Sequence, residues 1–166
     1  LIMPACSEAA KAERCLIGCA VQDNYKTLVA SVLADGHNII AESPIDINIA
    51  KQLNILISDM GLSLERIVIN PTIGALGYGL EYAYSIMERA RLAALSGDKT
   101  LATPFICFVG QEAWRTKEAK TSPQQGIIWE TITATSLIQS GADLLIMRHP
   151  KAAEKVSNYI ERLFKK

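Results

Sequence analysis

The chain carries little that would tie it to a membrane, a nucleic acid or a metal cluster. No apolar run approaches the ~20 residues needed to span a bilayer, and no signal-peptide pattern opens the sequence. A cytoplasmic protein is expected. Lys and Arg number 17 and Asp and Glu number 17, so the formal net charge is zero. That balance argues against nucleic acid as the main partner. Residues 1–109 carry 8 basic and 11 acidic side chains and residues 110–166 carry 9 and 6; the late basic bias reads as a solvated helix face. The four cysteines lack the tight spacing of an iron–sulfur or zinc site. Cys15-Leu16-Ile17-Gly18-Cys19 reads as a buried strand, in which side chains four apart share a face but lie too far apart to chelate one ion. Cys6 and Cys107 have no partner at ligand spacing. All four are expected to be buried free thiols, and no metal ligand is assigned.

Catalytic signatures are missing too. There is no Gly-x-Ser-x-Gly elbow and no His-Glu-x-x-His helix. A loop rich in glycine does follow a strand, in Asn70-Pro71-Thr72-Ile73-Gly74-Ala75-Leu76-Gly77-Tyr78-Gly79. A phosphate-binding P-loop needs Lys and then Ser or Thr after its last glycine, and Leu80 stands there instead. No acid and base recur at an enforced spacing, so no catalytic residue is assigned.

What is present is a repeated unit of helix, glycine, strand and polar loop. Asp23 stands where an N-cap belongs, before a helix with Leu28, Val29, Val32 and Leu33 on one face and Gly36 at its end. His37–Ala41 follows as a strand. Asp46 can cap a second helix, with Ile49, Leu53, Leu56, Ile57 and Met60 inward, before strand 66–69. A helix from about Leu80 carries Met87, Ala90, Ala94 and Leu95 and stops at Gly97. Strand Phe105–Val109, a helix near Trp129–Gln139, strand Asp143–Met147 and a closing helix with Val156, Ile160, Leu163 and Phe164 inward complete the pattern. Buried strands separated by helices require parallel crossovers. Such a chain is an α/β protein, either an open doubly wound sheet or part of a (β/α) barrel. A barrel needs eight strands, and about five βα units are visible. At 166 residues the chain is most simply one domain, 1–166. It opens on Leu1, not Met, which suggests a trimmed or partial product.

Function in parallel α/β proteins gathers at the carboxyl ends of the strands. The residues there include Gln22, Asp23 and Asn24; Glu42, Ser43 and Asp46; Asn70 and Thr72; Gly110, Gln111 and Glu112; and Arg148 and His149. Asn24, Asp46, Asn70, Thr72, Tyr78, Glu112, Trp114 and His149 are taken as candidate rim residues for cofactor binding. Several can hydrogen-bond the amide edge of a heterocycle. Each has a plainer reading: Asp46 as a cap, Asn70 as a turn closer before Pro71, and Trp114, like Trp129, as a packing anchor.

Four runs resemble a known family. They are Ser43-Pro44-Ile45-Asp46-Ile47-Asn48 with Ala50-Lys51-Gln52-Leu53-Asn54, and the loop Asn70-Pro71-Thr72 through Gly77-Tyr78-Gly79-Leu80-Glu81-Tyr82. The others are Glu112-Ala113-Trp114-Arg115-Thr116-Lys117-Glu118-Ala119, and Trp129-Glu130 leading to Gly141-Ala142-Asp143 and Met147-Arg148-His149-Pro150. Together they resemble the small subunit of the corrinoid iron–sulfur protein, the delta subunit of the acetyl-CoA decarbonylase/synthase complex. The resemblance implies a TIM-type (β/α) barrel related to pterin-dependent methyltransferase barrels, of which this chain holds the C-terminal portion. It implies a non-catalytic scaffold in cobalamin-dependent methyl transfer. Its implied partners are a corrinoid iron–sulfur large subunit bearing both cobalamin and cluster, a methyl-pterin methyltransferase, and acetyl-CoA synthase. The alternative is an autonomous pterin-binding methyltransferase barrel. The segment Thr121-Ser122-Pro123-Gln124-Gln125-Gly126 is read as a short loop, departing from the family pattern.

Overall fold

A computed structural model describes residues 2–165; Leu1, on which the reading of the first residue rests, lies outside them. Short β-branched runs form parallel strands, each fed by an amphipathic helix. In chain order these are α1 (Ile2–Ala9), β1 (Leu16–Ala20), α2 (Tyr25–Asp35), β2 (Asn38–Glu42), α3 (Ile47–Asp59), β3 (Ile67–Asn70) and α4 (Leu80–Leu95). Then follow β4 (Ile106–Cys107), α5 (Val109–Ala113), α6 (Pro123–Gln139), β5 (Leu144–Leu145) and α7 (Pro150–Phe164).

The strands lie side by side in the order of the chain. β1 pairs with β2, with Ile17 beside Ile39, and β2 with β3, with Ala41 beside Ile69; both pairs are parallel. β4 and β5 form a second parallel pair. A parallel bridge between Ile69 and Phe105 joins the two groups, with the Ile69 N–H donating to the Pro104 carbonyl at 2.8 Å. This order contains no reversal, and a reversal is what defines a doubly wound sheet. It is the order of a barrel wall, left open. β2 shows what such a wall demands: Ile39, Ile40 and Ala41 are all buried, so both faces are covered.

Two cores lie along the wall. Ile17, Leu28, Val29, Val32, Ile39, Leu53, Ile57 and Ile67 fill the first, and Ile69, Ala83, Met87, Phe105, Val109, Ala134 and Leu137 the second. Each amphipathic helix loses its apolar stripe to one of them, which supplies most of the drive to fold. At the amino end of β2, His37 is fully buried and satisfied. Its Nδ1 accepts from the Cys15 N–H at 3.1 Å, so its Nε2 donates to the Ser7 carbonyl at 2.8 Å. The Arg66 guanidinium donates to the Val32 carbonyl at 3.1 Å and to that of His37, tying the turn after α2 to the start of β3.

Several sequence expectations are corrected. Asp23 does not cap α2. Asn24 is the N-cap residue without a side-chain capping bond, because its amide closes the β1–α2 turn instead. Its Oδ1 accepts from the Val21 N–H and its Nδ2 donates to the Cys19 carbonyl. The fourth strand stops at Cys107 because the chain turns into α5 at Val109, so Gly110-Gln111-Glu112 is helix, not loop. The supposed loop Thr121–Gly126 is mostly the first turn of α6. The Ser122 hydroxyl accepts from the Gln125 N–H at 3.2 Å, and Pro123 takes the position where no donor is needed. Gly126 marks close packing there, not a turn: a Cβ on it would lie 2.6 Å from the Trp114 ring. Leu163 and Phe164, expected inward, are 52% and 80% exposed, as is Leu95 at 85%; each sits in the last turn of its helix, past the core.

The loop after β3 is held, not loose. Both backbone groups of Leu76 are bound by α6: its N–H donates to the Thr133 hydroxyl at 3.2 Å, and its carbonyl accepts from the Trp129 indole at 3.1 Å. The Tyr78 hydroxyl donates to the Glu118 carboxylate at 3.0 Å and accepts from the Lys117 N–H at 3.3 Å. Gly74 sits so close to the returning chain that a Cβ would fall 2.2 Å from the Tyr78 carbonyl oxygen. Gly74→Ala is therefore expected to cost about 1–3 kcal/mol or more through forced backbone movement. Thermal unfolding of that variant checks this; a midpoint equal to the parent's would mean the loop is slack.

Candidate functional site

The carboxyl ends of β1 to β4 open into a cleft of about 530 Å³ lined by Gly18, Cys19, Glu42, Asn70, Thr72, Ile73, Phe108, Gln111, Glu112 and Arg115. Each strand delivers its last residues to the same edge, which is why side chains far apart in sequence meet. Asn70, at the end of β3 and only 4% exposed, is the hub. Its Nδ2 donates to Glu42 Oε2 at 2.9 Å and reaches Cys19 Sγ at 3.9 Å, while its Oδ1 accepts from the Thr72 N–H at 3.1 Å. Thr72, at φ 50°, is wedged against β2: its hydroxyl donates to the Ser43 carbonyl at 3.0 Å and accepts from the Ile45 N–H at 3.1 Å. At the outer lip, Arg115 pairs with Glu112 at 2.8 Å across one turn of chain.

Cys19 is half-buried, not the buried thiol expected from its run, because it lines this cleft. Burial, with the neighbouring Glu42 carboxylate, pushes its pKa from 9.0 to about 11, against an opposing contribution from the Asn70 amide. Buried Cys107 is pushed up to about 12, again first by burial. Cys6 is exposed, contrary to the same expectation, because α1 turns it outward. Both raised thiols stay protonated at neutral pH and are poor nucleophiles. Alkylation at pH 8 should therefore proceed in the order Cys6, then Cys19, with Cys107 labelled only on unfolding; mass spectrometry reads this directly. The stability they contribute is complete below pH 9. It falls as the pH rises from 9 through about 11 for Cys19 and about 12 for Cys107, where the unfolded chain ionises first.

The other candidate rim residues do other work. Asp46 is a helix cap, accepting from the Asn48 N–H at 2.7 Å and the Ile49 N–H at 3.3 Å. Asn24 closes a turn, and Tyr78 is bonded within the chain, as described above. Trp114 and His149 lie together but outside the cleft lining: their rings stack with centroids 5.8 Å apart and an interplanar angle of 14°, and the Arg148 guanidinium sits 5.2 Å from the Trp114 ring. His149 also caps α7, its Nδ1 accepting from the Lys151 N–H at 3.2 Å. Of the candidates, the cleft gathers Asn70, Thr72 and Glu112. No group of three or more His, Cys, Asp or Glu side chains is arranged to hold a metal ion among the described residues. No described helix is long and apolar enough to cross a membrane.

Residues 1–159 match the family described as the CO dehydrogenase/acetyl-CoA synthase delta subunit. The chain belongs to this family. Among curated relatives, the acetyl-CoA decarbonylase/synthase complex subunit delta of Methanopyrus kandleri is 37% identical over 93% of this chain and 40% of its own length. That of Methanothermobacter thermautotrophicus is 36% identical over 90% of the chain and 40% of its own length. The chain thus spans about two-fifths of the delta subunits it matches. The fold is similar to solved dihydropteroate synthases. One, solved with a product, superimposes with a TM-score of 0.63 at 14% identity, covering 83% of this chain and 56% of that one. A Yersinia pestis enzyme solved with a pterin–sulfa conjugate gives 0.62 at 14% identity, covering 82% and 55%. That likeness shows a TIM-type fold for this chain, with the wall not closed among the described residues.

Three structural participants lay outside the candidate set drawn from the sequence. Glu42 was among the strand-end residues, but nothing in its own neighbourhood singled it out over Ser43 or Asp46; its pairing with Asn70 is made across strands. Cys19 was set aside for its apolar run. Glu130 is fully buried and accepts from the Trp114 indole at 2.7 Å, from the His149 N–H at 3.2 Å and from the Arg148 N–H. Its position in α6 carried one usable signal, a carboxylate on the helix face that also carries Thr133, Ala134 and Leu137.

Proposed function

We propose that this chain forms part of the barrel of a delta subunit that scaffolds cobalamin-dependent methyl transfer from a methyl-pterin to acetyl-CoA synthase, within a cytoplasmic one-carbon pathway. In this reading it is a non-catalytic subunit. A corrinoid iron–sulfur large subunit carries the cobalamin and the cluster, and a methyl-pterin methyltransferase docks nearby. The observation that carries the reading is the match of residues 1–159 to the delta-subunit family. The cleft fits it: a polar, open edge at the strand ends suits the amide-decorated periphery of a corrinoid held mostly by another chain. When bound, the corrinoid cobalt carries the methyl group. Glu42 and Gln111 would face the macrocycle's rim, with Asn70 holding Glu42 in place, and the cleft would shield that edge from water. Affinity isolation of the tagged chain from its native host, followed by a visible spectrum, tests the reading. Corrinoid absorption bands support it, and a partner complex without them overturns it.

A second reading is an autonomous pterin-binding methyltransferase barrel. It is favoured by the fold shared with dihydropteroate synthases, one of them solved with a pterin conjugate. Asp46 or Asn70 would hold the pterin ring in this reading; Asp46 is committed to capping α3, which leaves Asn70, beside Glu42. Isothermal titration of the chain alone with methyl-tetrahydrofolate separates the two, since tight binding without a partner belongs only to the second.

A further inference from the structure

Among the long described helices, only α6 carries no charge on its outward face. Its single charged residue, Glu130, is fully buried, whereas α2, α3, α4 and α7 expose Lys26, Lys51, Glu88 and Lys155 in turn. The outward line of α6 is Gln124, Ile128, Ile132 and Gln139, all exposed. Between them the hydroxyls turn inward. Those of Thr131, Thr135 and Ser136 donate to the Ile127, Thr131 and Ile132 carbonyls at 2.7, 3.0 and 3.0 Å. Hydroxyls bonded to their own helix need nothing from water, and surfaces stripped of charge are those found at the centre of protein interfaces. A helix of 17 residues extends this surface over roughly 25 Å.

The remainder of a barrel does not cover this face. In a (β/α) wall each helix lies between two others, and α6 has both. The loop leading into α4 donates its Leu76 N–H to Thr133, and the Gln139 amide donates to the Tyr159 hydroxyl of α7 at 2.7 Å. Charge flanks the face unequally. Lys117 and Lys120 are exposed just before its amino end. Beside its carboxyl half, Glu81 and Glu88 line a groove of about 440 Å³ with Ser136 and Gln139. Among the described residues none of these four charged side chains is in a salt bridge.

We propose that α6 packs on α6 of a second copy of this chain, the two helices antiparallel about a twofold axis near Ile132. A twofold contact needs a surface that matches itself. Reversal sets the lysines of each copy beside the glutamates of the other and leaves isoleucine and inward-bonded hydroxyls at the axis. A parallel pairing would set lysine on lysine and glutamate on glutamate. The contact uses no residue that lines the strand-end cleft and does not rest on the proposed function.

Analytical ultracentrifugation of the full chain tests this. The open β5 strand offers a second route to association, so every protein in the series carries Ile146→Lys. That chain is expected to be a dimer. Adding Ile132→Lys sets like charges together at the axis and should raise the dissociation constant at least about tenfold. Ile132 is exposed, so the core stays intact, and an unchanged circular dichroism melt checks this. Lys120→Glu or Glu88→Lys alone should weaken the dimer several-fold, and the two together should restore it, because each copy then carries the exchanged pair. A monomer in the Ile146→Lys chain, or a dimer indifferent to Ile132→Lys, overturns the proposal. So does a double exchange no tighter than the single ones, and so does a native complex in which mass spectrometry counts one copy of this chain.

Discussion

Replacing Glu130 with Ala is expected to destabilise the fold by about 3–5 kcal/mol, the cost typical of removing one partner from a buried charged network. The carboxylate is fully buried and receives three N–H donors, from the Trp114 indole and the backbones of Arg148 and His149. Removing it leaves all three N–H groups without their acceptor. Gly126 presses on the Trp114 ring, and a Cβ on Gly110 would sit 2.5 Å from the Arg148 nitrogen. The loss should appear as a drop in melting temperature of roughly 6–20 °C for a chain of this size. Glu130→Gln keeps the shape but turns one acceptor into a donor facing other donors, so about half the loss is expected. Trp114 fluorescence, read in a Trp129→Phe background, should shift to the red as the stack with His149 loosens. A Glu130→Gln protein as stable as its parent would show that the carboxylate is not the lock joining α5, α6 and the β5–α7 turn.

This lock also explains what the sequence could and could not reveal. The βα rhythm was legible because apolar periodicity reports burial directly, and β2, α3 and α4 lie within a residue or two of their expected places. The edges were not. β4 and β5 shrink to two residues because the backbone is captured early by α5 and by the Glu130 contacts, neither of which has a local signature. Pro123 and Gly126 read as loop residues from propensity. Packing overrode that: a proline at a helix's first position costs nothing, and the glycine makes room for an indole. At the site, Asn70 was recognisable as a polar residue ending an apolar strand. Glu42 became distinct only beside it, because cross-strand register, not sequence spacing, sets their meeting. Asp46 illustrates the converse, since its capping role was legible locally and is the role it plays.

The isolated chain is expected to self-associate at roughly micromolar concentration, because its fifth strand has a neighbour on one side only. β5 takes the Phe105 and Cys107 carbonyls through the N–H groups of Leu144 and Ile146. In a parallel strand the intervening residues, Leu145 and Met147, point their backbone groups the other way, and no described strand meets them. The side chains agree. Leu144-Leu145-Ile146-Met147 is apolar on both faces, as befits a strand inside a barrel wall, yet Leu144 and Ile146 are 42% and 45% exposed. Beside them α6 and α7 leave a groove of about 500 Å³ lined by Ile138, Leu145, Met147, Val156, Ile160 and Phe164. Short as it is, an apolar edge that carries no charged side chain is what natural sheets avoid unless something covers it. Light scattering on the purified chain should therefore show species larger than a monomer, and Ile146→Lys, which places a charge on the open face, should shift them toward monomer. A parent chain that is monodisperse and melts cooperatively as a monomer would mean the β5 edge is stable uncovered.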